Sequence, residues 1–223
     1  TTRYREYLPL FPAAIEQFDV DDVDLVISTS HCAAKAVVPT GRAVHVCYCH
    51  SPMRYAWDQF PAYFGPARVG AVASAIARPI MAWLARWDAA TAPRVTRFVA
   101  NSRYVAGRIS RYYNRQADVL YPPVDTDFFT PGSSDGDRGD HATSRGYALV
   151  VSALVPYKRI DIAIEAAAQA GWPLKIVGTG PDEKRLRALA GPTVTFLRNV
   201  DADALRELYR HAGALMLPGE EDF

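Results

Sequence analysis

Apolar runs of four to eight residues alternate with segments of helical period along most of the chain. DLVIST (24–29), VHVCYC (44–49), RFVANS (97–102) and DVLYPP (118–123) predict strands in the first half. YALVVSAL (147–154), LKIVG (174–178), VTFL (194–197) and ALMLP (214–218) predict strands in the second. Between the later strands, RIDIAIEAAAQA, DEKRLRALA and DADALRELYRHA repeat their apolar residues at helical spacing. Strands that alternate with helices imply right-handed crossovers and parallel sheets. The uninterrupted apolar character of the later strands predicts helices on both faces of their sheet. The stretch 121–146 is rich in Pro, Gly, Ser and Asp and has little to bury. The chain therefore reads as an α/β protein of two domains, residues 1–123 and 146–223, joined by a linker and flexible loop over 124–145.

One longer helix is predicted from Val69, Val72, Ile76, Ile80, Trp83 and Trp87, spaced 3, 4, 4, 3 and 4 apart. Two readings of this stripe stay open. It faces the core, with a kink at Pro79. Alternatively it forms, with Arg68, Arg78 and Arg86, a basic amphipathic face resting on anionic lipid.

Composition narrows the classes. Of the 223 residues, 49% are hydrophobic, enough for a sizeable core. A net charge of +1 argues against a nucleic-acid partner held by a broad basic surface. Cys32, Cys47 and Cys49 make no CxxC pair and no metal-ligand spacing, and read as reduced thiols of a cytoplasmic protein. The N-terminal residues lack the architecture of a signal peptide, and the apolar stretch 69–77 is too short to span a bilayer. Asp125-Thr126-Asp127 and Arg138-Gly139-Asp140 resemble a metal-binding and an adhesion motif, but turn-rich linker chemistry accounts for both.

In open α/β sheets, ligands bind beyond the carboxyl ends of the strands. In the first half those ends deliver His50, and Asn101 with Ser102. In the second half they deliver Lys158 and Arg159 before a helix, Gly178-Thr179-Gly180, and Glu221 after ALMLP. A lysine and arginine at a helix N-terminus suit a phosphate, because the backbone N–H groups, the helix dipole and the side-chain cation act together. The GTG stretch lacks the third glycine of a dinucleotide fingerprint. No Walker A loop, serine nucleophile elbow, HExxH or Cys/His cluster is present. These residues predict a diphosphate ligand bound without a protein metal site and without a further cofactor.

VSALVPYKRIDIAIEAA, KIVGTGPDEKRLRAL, FLRNVDADALRELYRHAGALMLPGEEDF and FVANSRYVAGRISRYY…VLYPPVDTDFF together resemble the family 4 (group 1) glycosyltransferases of GT-B fold. The resemblance implies two Rossmann-like domains facing across a cleft, with a nucleotide-sugar held mainly by the C-terminal one. YCHSPMRYAWDQF (48–60) looks most like the bacterial branch that builds O-antigen or exopolysaccharide, often with GDP-mannose as donor. By this resemblance His50 matches the active-site histidine, Lys158 the lysine on the donor diphosphate, and Glu221 the first glutamate of an E-x7-E element that meets the donor sugar. Met53, Arg54, Tyr55 and Trp57 would line the acceptor or sugar pocket, with core packing an equal reading for the aromatics. The family often has an arginine five residues before the lysine. Ala153 stands there, so Arg159 is the candidate substitute. Against the family pattern, the chain reads as trimmed at both ends. The implied activity is retaining transfer of a sugar to a glycan or polyprenyl-diphosphate-linked acceptor, with peripheral contact at the inner face of the plasma membrane. A nucleotide-sugar-binding inactive paralogue and a GT-B epimerase or phosphorylase remain the rivals.

Overall fold

A computed structural model describes residues 4–132 and 146–219. Glu221 and the Arg138-Gly139-Asp140 tripeptide lie outside the described residues. The chain divides into two compact units after Pro123.

The first unit holds α1 (Phe11–Glu16), β1 (Leu25–Ser30), β2 (Val44–Cys49), α2 (Arg54–Trp57), α3 (Phe60–Phe64), α4 (Pro66–Val69), α5 (Ala71–Ala90), β3 (Arg97–Ala100), α6 (Arg103–Tyr113) and β4 (Ala117–Val119). Its sheet has the order β1-β2-β3-β4, and every adjacent pair is parallel. Ser102 caps α6 by accepting a hydrogen bond from the Val105 backbone at 3.2 Å.

Burial along these strands alternates strictly. Ser28, Ser30, His45, Cys47, Cys49, Phe98 and Ala100 point into the core, with Val105, Ile109 and Tyr113 of α6 packed among them. Leu25, Ile27 and Val44 point the other way and are exposed. Among the described residues, one face of this sheet is packed into the core and the other is left largely exposed. The apolar runs hid this because the outward positions are themselves Leu, Ile and Val.

The second unit holds β5 (Tyr147–Val151), α7 (Ile160–Ala170), β6 (Leu174–Val177), α8 (Glu183–Leu189), β7 (Val194–Leu197), α9 (Ala202–Arg210) and β8 (Ala212–Leu215). Its parallel strands run in the order β7-β6-β5-β8, so β5 is flanked by β6 and β8. Ala148, Val150, Ile160, Ala163, Ile164, Leu174, Ile176 and Leu186 make its core. Asp201 caps α9 by accepting from the Ala204 backbone at 2.8 Å.

Residues 124–132, read from sequence as linker, cluster with this second unit. The Phe129 ring meets Tyr209 with centroids 6.0 Å apart, and the Arg206 guanidinium lies 4.5 Å from the Phe128 ring centre. Asp125 accepts a hydrogen bond from the Phe128 backbone at 3.0 Å, a turn contact rather than a metal ligand. Among the described residues no group of His, Cys, Asp and Glu is placed to hold a metal ion.

The long helix corrects one sequence reading. It runs over Ala71–Ala90 with Pro79 inside, preceded by the short α4 and by Gly70 at φ +85°. Its core side is Ser74, Met81, Leu84, Ala85 and Asp88. Val69, Val72, Ile76 and Trp83, assigned to the core in the first of the two readings, are exposed. No helix among the described residues is long and apolar enough to cross a membrane.

Candidate active site

Strand register brings three side chains into one row on the first unit. Ser30 pairs with Cys49, and Cys49 with Ala100. His31, His50 and Asn101 therefore follow three neighbouring strands at the same level. The His50 backbone donates to Ser30 O at 2.8 Å, which continues the ladder one residue beyond the strand. The His50 ring is half-buried and meets Tyr48 edge-on, with centroids 5.3 Å apart. Asn101 is buried, and its side-chain oxygen accepts a hydrogen bond from Ser102 at 3.3 Å.

His31 did not figure among the sequence candidates. The signal for it was the same as for His50: it is the first residue after a strand. Ending the first strand at 29 instead of 30 concealed it. Partial burial, then the neighbouring His50 and Arg54, hold the His31 pKa below the ordinary histidine value. A pocket of about 590 Å³ opens beside it, lined by Phe11, Ile15 and Phe18 on one side and by Thr29, His31 and Cys32 on another. Its walls are mostly apolar.

The residues after His50 are mostly structural. Met53 and Tyr55 are buried, and the Tyr55 hydroxyl lies 2.6 Å from Cys32 Sγ. Trp57 stacks on Tyr112 at 4.6 Å and donates from Nε1 to Asp88 Oδ2 at 2.8 Å. Asp58 makes a two-pronged ion pair with Arg108. Packing thus explains Met53, Tyr55 and Trp57 without assigning them to a ligand pocket. The three thiols are unbridged, and burial pushes Cys32 up to about 11. All three are buried.

On the second unit, the candidate residues follow the adjacent strands β5 and β6. Pro156–Lys158 form a single 3-10 turn, and Arg159, at φ +49°, links that turn to α7. Lys158 thus sits one turn ahead of an eleven-residue helix. Arg159 instead forms an ion pair with Asp161 at 3.4 Å, and Asp161 also faces Arg185 at 3.9 Å. That pairing draws Arg159 toward its own helix, so it is a weak substitute for the arginine that Ala153 replaces.

Gly178 and Gly180 have a packing reason of their own. A Cβ on Gly178 would lie 1.9 Å from Ser152 O, and one on Gly180 would lie 2.2 Å from Leu154 O. The loop after β6 presses its backbone onto the loop after β5, where Leu154 N donates to Thr179 O at 2.9 Å. Gly178 also has φ +142°, a conformation that L side chains rarely adopt. These glycines let the loop after β6 pack on Ser152 and Leu154, just ahead of the Lys158 turn in the chain. A second pocket, about 460 Å³, lies between residues 124–131 and α9. It is on the side where β8 begins, opposite the strand ends that carry the candidate residues.

The sequence profile of Glycosyltransferase Family 4 matches residues 1–128, and that of Glycosyl transferases group 1 matches residues 137–222. The chain belongs to glycosyltransferase family 4. A D-inositol 3-phosphate glycosyltransferase from Mycolicibacterium smegmatis is 29% identical over 138 residues, covering 55% of this chain and 32% of that protein. A sucrose-phosphate synthase from Thermosynechococcus elongatus superposes over 99% of this chain and 57% of its own, with a TM-score of 0.67 and 15% identity. A lipopolysaccharide outer core galactosyltransferase superposes over 98% of this chain and 55% of its own, with a TM-score of 0.53 and 14% identity. The chain thus spans about a third of the curated relative and little more than half of each solved structure. Two parallel α/β sheets and these likenesses make the fold that of the GT-B type.

Proposed function

We propose that the protein transfers a sugar, with retention of anomeric configuration, from a nucleoside-diphosphate sugar to a glycan or lipid-linked acceptor. In this reading the C1–O bond to the diphosphate breaks through an oxocarbenium-like state. The acceptor hydroxyl bonds to C1 from the same face and its proton passes to the departing phosphate oxygen. The observation that carries the reading is the Lys158 turn. A cation stands one turn ahead of α7, on the loop after β5 whose start is packed tightly against the glycine loop after β6. Such a place favours a diphosphate through charge and through backbone N–H groups. Stabilising the charge that develops on the leaving group is the main catalytic contribution, and preorganised donors of this kind each contribute about 10²–10³ in rate.

His50 would orient the donor sugar or steady its developing charge, with His31 and Asn101 beside it in the same row. Glu221 would accept hydrogen bonds from sugar hydroxyls. The pocket beside His31, walled by Phe11, Ile15 and Phe18, suits the apolar part of an acceptor. Mannose from GDP-mannose is the donor we propose, on the likeness of residues 48–60 to the O-antigen and exopolysaccharide enzymes. No further cofactor and no protein-held metal enter the scheme. The setting would be cell-surface polysaccharide synthesis, with the acceptor presented at the cytoplasmic face of the membrane.

A thermal-shift panel of nucleotide-sugars, followed by a transfer assay with the best stabiliser, tests this. GDP-mannose should raise the melting temperature most, and labelled sugar should appear in a glycan or lipid fraction. Stabilisation by another donor would replace mannose in the scheme. Binding without transfer would favour the inactive-paralogue reading.

A further inference from the structure

Side chains alternate between the faces of a strand, so Tyr48 stands on the opposite side of β2 from the buried Cys47 and Cys49. Strand register aligns Thr29, Tyr48, Val99 and Asp118 in one row across β1 to β4. Two residues further along each strand come His31, His50, Asn101 and Leu120, the level of the candidate site. Leu120 joins that level through its own ladder bond, its N–H donating to Ala100 O at 2.9 Å. Tyr48 reaches this level at two points from one row below. Its ring meets the His50 imidazole with centroids 5.3 Å apart and planes at 87°, an edge-to-face geometry that aromatic pairs favour. Its hydroxyl crosses β3 and donates to Leu120 O at 3.0 Å. Among the described residues no hydrogen bond holds the His50 imidazole. A histidine that works in chemistry is ordinarily oriented by a hydrogen bond to one ring nitrogen; here an aromatic contact stands in that place.

We propose that Tyr48 is a positioning residue for His50: its ring, pinned through the hydroxyl to Leu120, holds the imidazole in the plane that meets the donor sugar. The role in transfer rests on the assignment of His50 made above; the contact itself does not. Two features select positioning over support of the fold. Tyr48 is half-buried on the face of the sheet that turns away from the core, and its bond to Leu120 is open to solvent. The second feature is the pin. Two rings in edge-to-face contact can swivel together, and anchoring the far end of one of them removes that freedom from the pair. Leu120 lies close before the end of the first unit at Pro123, so the ring is tied to the last residues of that unit.

Carbon–proton correlation spectra of the full chain with labelled histidine test the contact without donor or acceptor, so they decide it even if the transfer reading fails. The chain has five histidines, and His50→Ala identifies the signal of His50. Tyr48→Leu should move the His50 ring signals toward those of an unstacked imidazole. The signals of His45, buried on the core face of the same strand, should stay in place and show that the fold is kept. In the transfer assay Tyr48→Leu should lower kcat about tenfold, the upper range for one aromatic pair, with the donor KM unchanged. Tyr48→Phe keeps the ring and loses only the pin, and should lower kcat about twofold. In the His50→Ala background Tyr48→Leu should cost nothing further, because it acts through the missing ring. His50 signals that do not move in Tyr48→Leu overturn the proposal. An equal loss of transfer from Tyr48→Leu with and without His50 also overturns it.

Discussion

Replacing Lys35 by Met should destabilise the first unit more than any surface change. Lys35 follows β1 on a 3-10 turn and is buried, as is its partner Asp88 on α5. Its ammonium lies 3.0 Å from Asp88 Oδ1 and 2.9 Å from Thr91 Oγ1, and also donates to the Asp88 carbonyl. Asp88 Oδ2 accepts from Trp57 Nε1 and from the Tyr113 hydroxyl, each at 2.8 Å. Asp88 Oδ1 takes no hydrogen bond and depends on the Lys35 charge. Methionine fills much of the same volume but leaves a buried carboxylate without its counter-charge. Removing one partner of such a pair costs about 3–5 kcal/mol, a large share of the roughly 5–15 kcal/mol by which a domain is stable. The melting temperature of this unit should fall by roughly 10–15 °C. Asp88→Asn added to Lys35→Met removes the orphaned charge while keeping an amide oxygen for Trp57 and Tyr113, and should recover more than half of the loss. Hydrogen exchange at β1–β3 during urea titration reads this unit separately from the second. A neutral Lys35→Met, or a double variant no more stable than it, would refute the argument that the charge pair governs this core.

The other expectations concern chemistry and pH. His50→Ala should lower transfer about 10²-fold while nucleotide affinity, measured by calorimetry, stays near wild type; equal turnover would remove His50 from the catalytic residues. Lys158→Ala should weaken a nucleoside diphosphate and the full donor alike by about ten- to a hundredfold, the worth of one charge-assisted hydrogen bond. Glu221→Gln should instead weaken the donor and spare the free nucleotide, and an equal loss of both would show that Glu221 does not meet the sugar. His31 and His45 both have lowered pKa values, chiefly from burial, so the unfolded chain binds protons that the folded unit refuses. Stability should therefore fall as pH drops from about 6.5 toward the depressed native values. A urea midpoint unchanged between about pH 7 and pH 5 would contradict that linkage.

Much of the fold could be read from period and punctuation. VHVCYC and VTFL are strands at the residues their apolar runs mark, Val44–Cys49 and Val194–Leu197. Helix α7 ends where Gly171 supplies a left-handed residue, at φ +60°. Runs such as YALVVSAL overshoot, because Ser152 to Leu154 are apolar enough to continue the pattern but turn into the loop that packs on Gly178 and Gly180. Placement at strand ends located His50, Asn101 and Lys158. It could not say that Arg159 turns back to Asp161, since a two-residue ion pair depends on a left-handed link that no periodicity announces.

The sequence left two readings open both for the apolar stripe of α5 and for the aromatics after His50, and one cause explains why. Helical spacing reports that residues lie on one face; it does not report which neighbour that face meets. On α5 the core is served by a smaller and more polar arc, Ser74, Met81, Leu84, Ala85 and Asp88, because that arc carries the Asp88 pair with Lys35 and the bonds to Trp57 and Tyr113. A buried carboxylate fixed by several partners is costly to leave unpaired, so it determines which face of α5 turns inward even though the outward stripe is more hydrophobic. The same network holds Trp57 against Asp88 and Tyr112, so of its two readings packing is the one the contacts account for. Polar satisfaction thus overrules hydrophobic patterning on α5, and it leaves Val72, Ile76 and Trp83 outside and exposed.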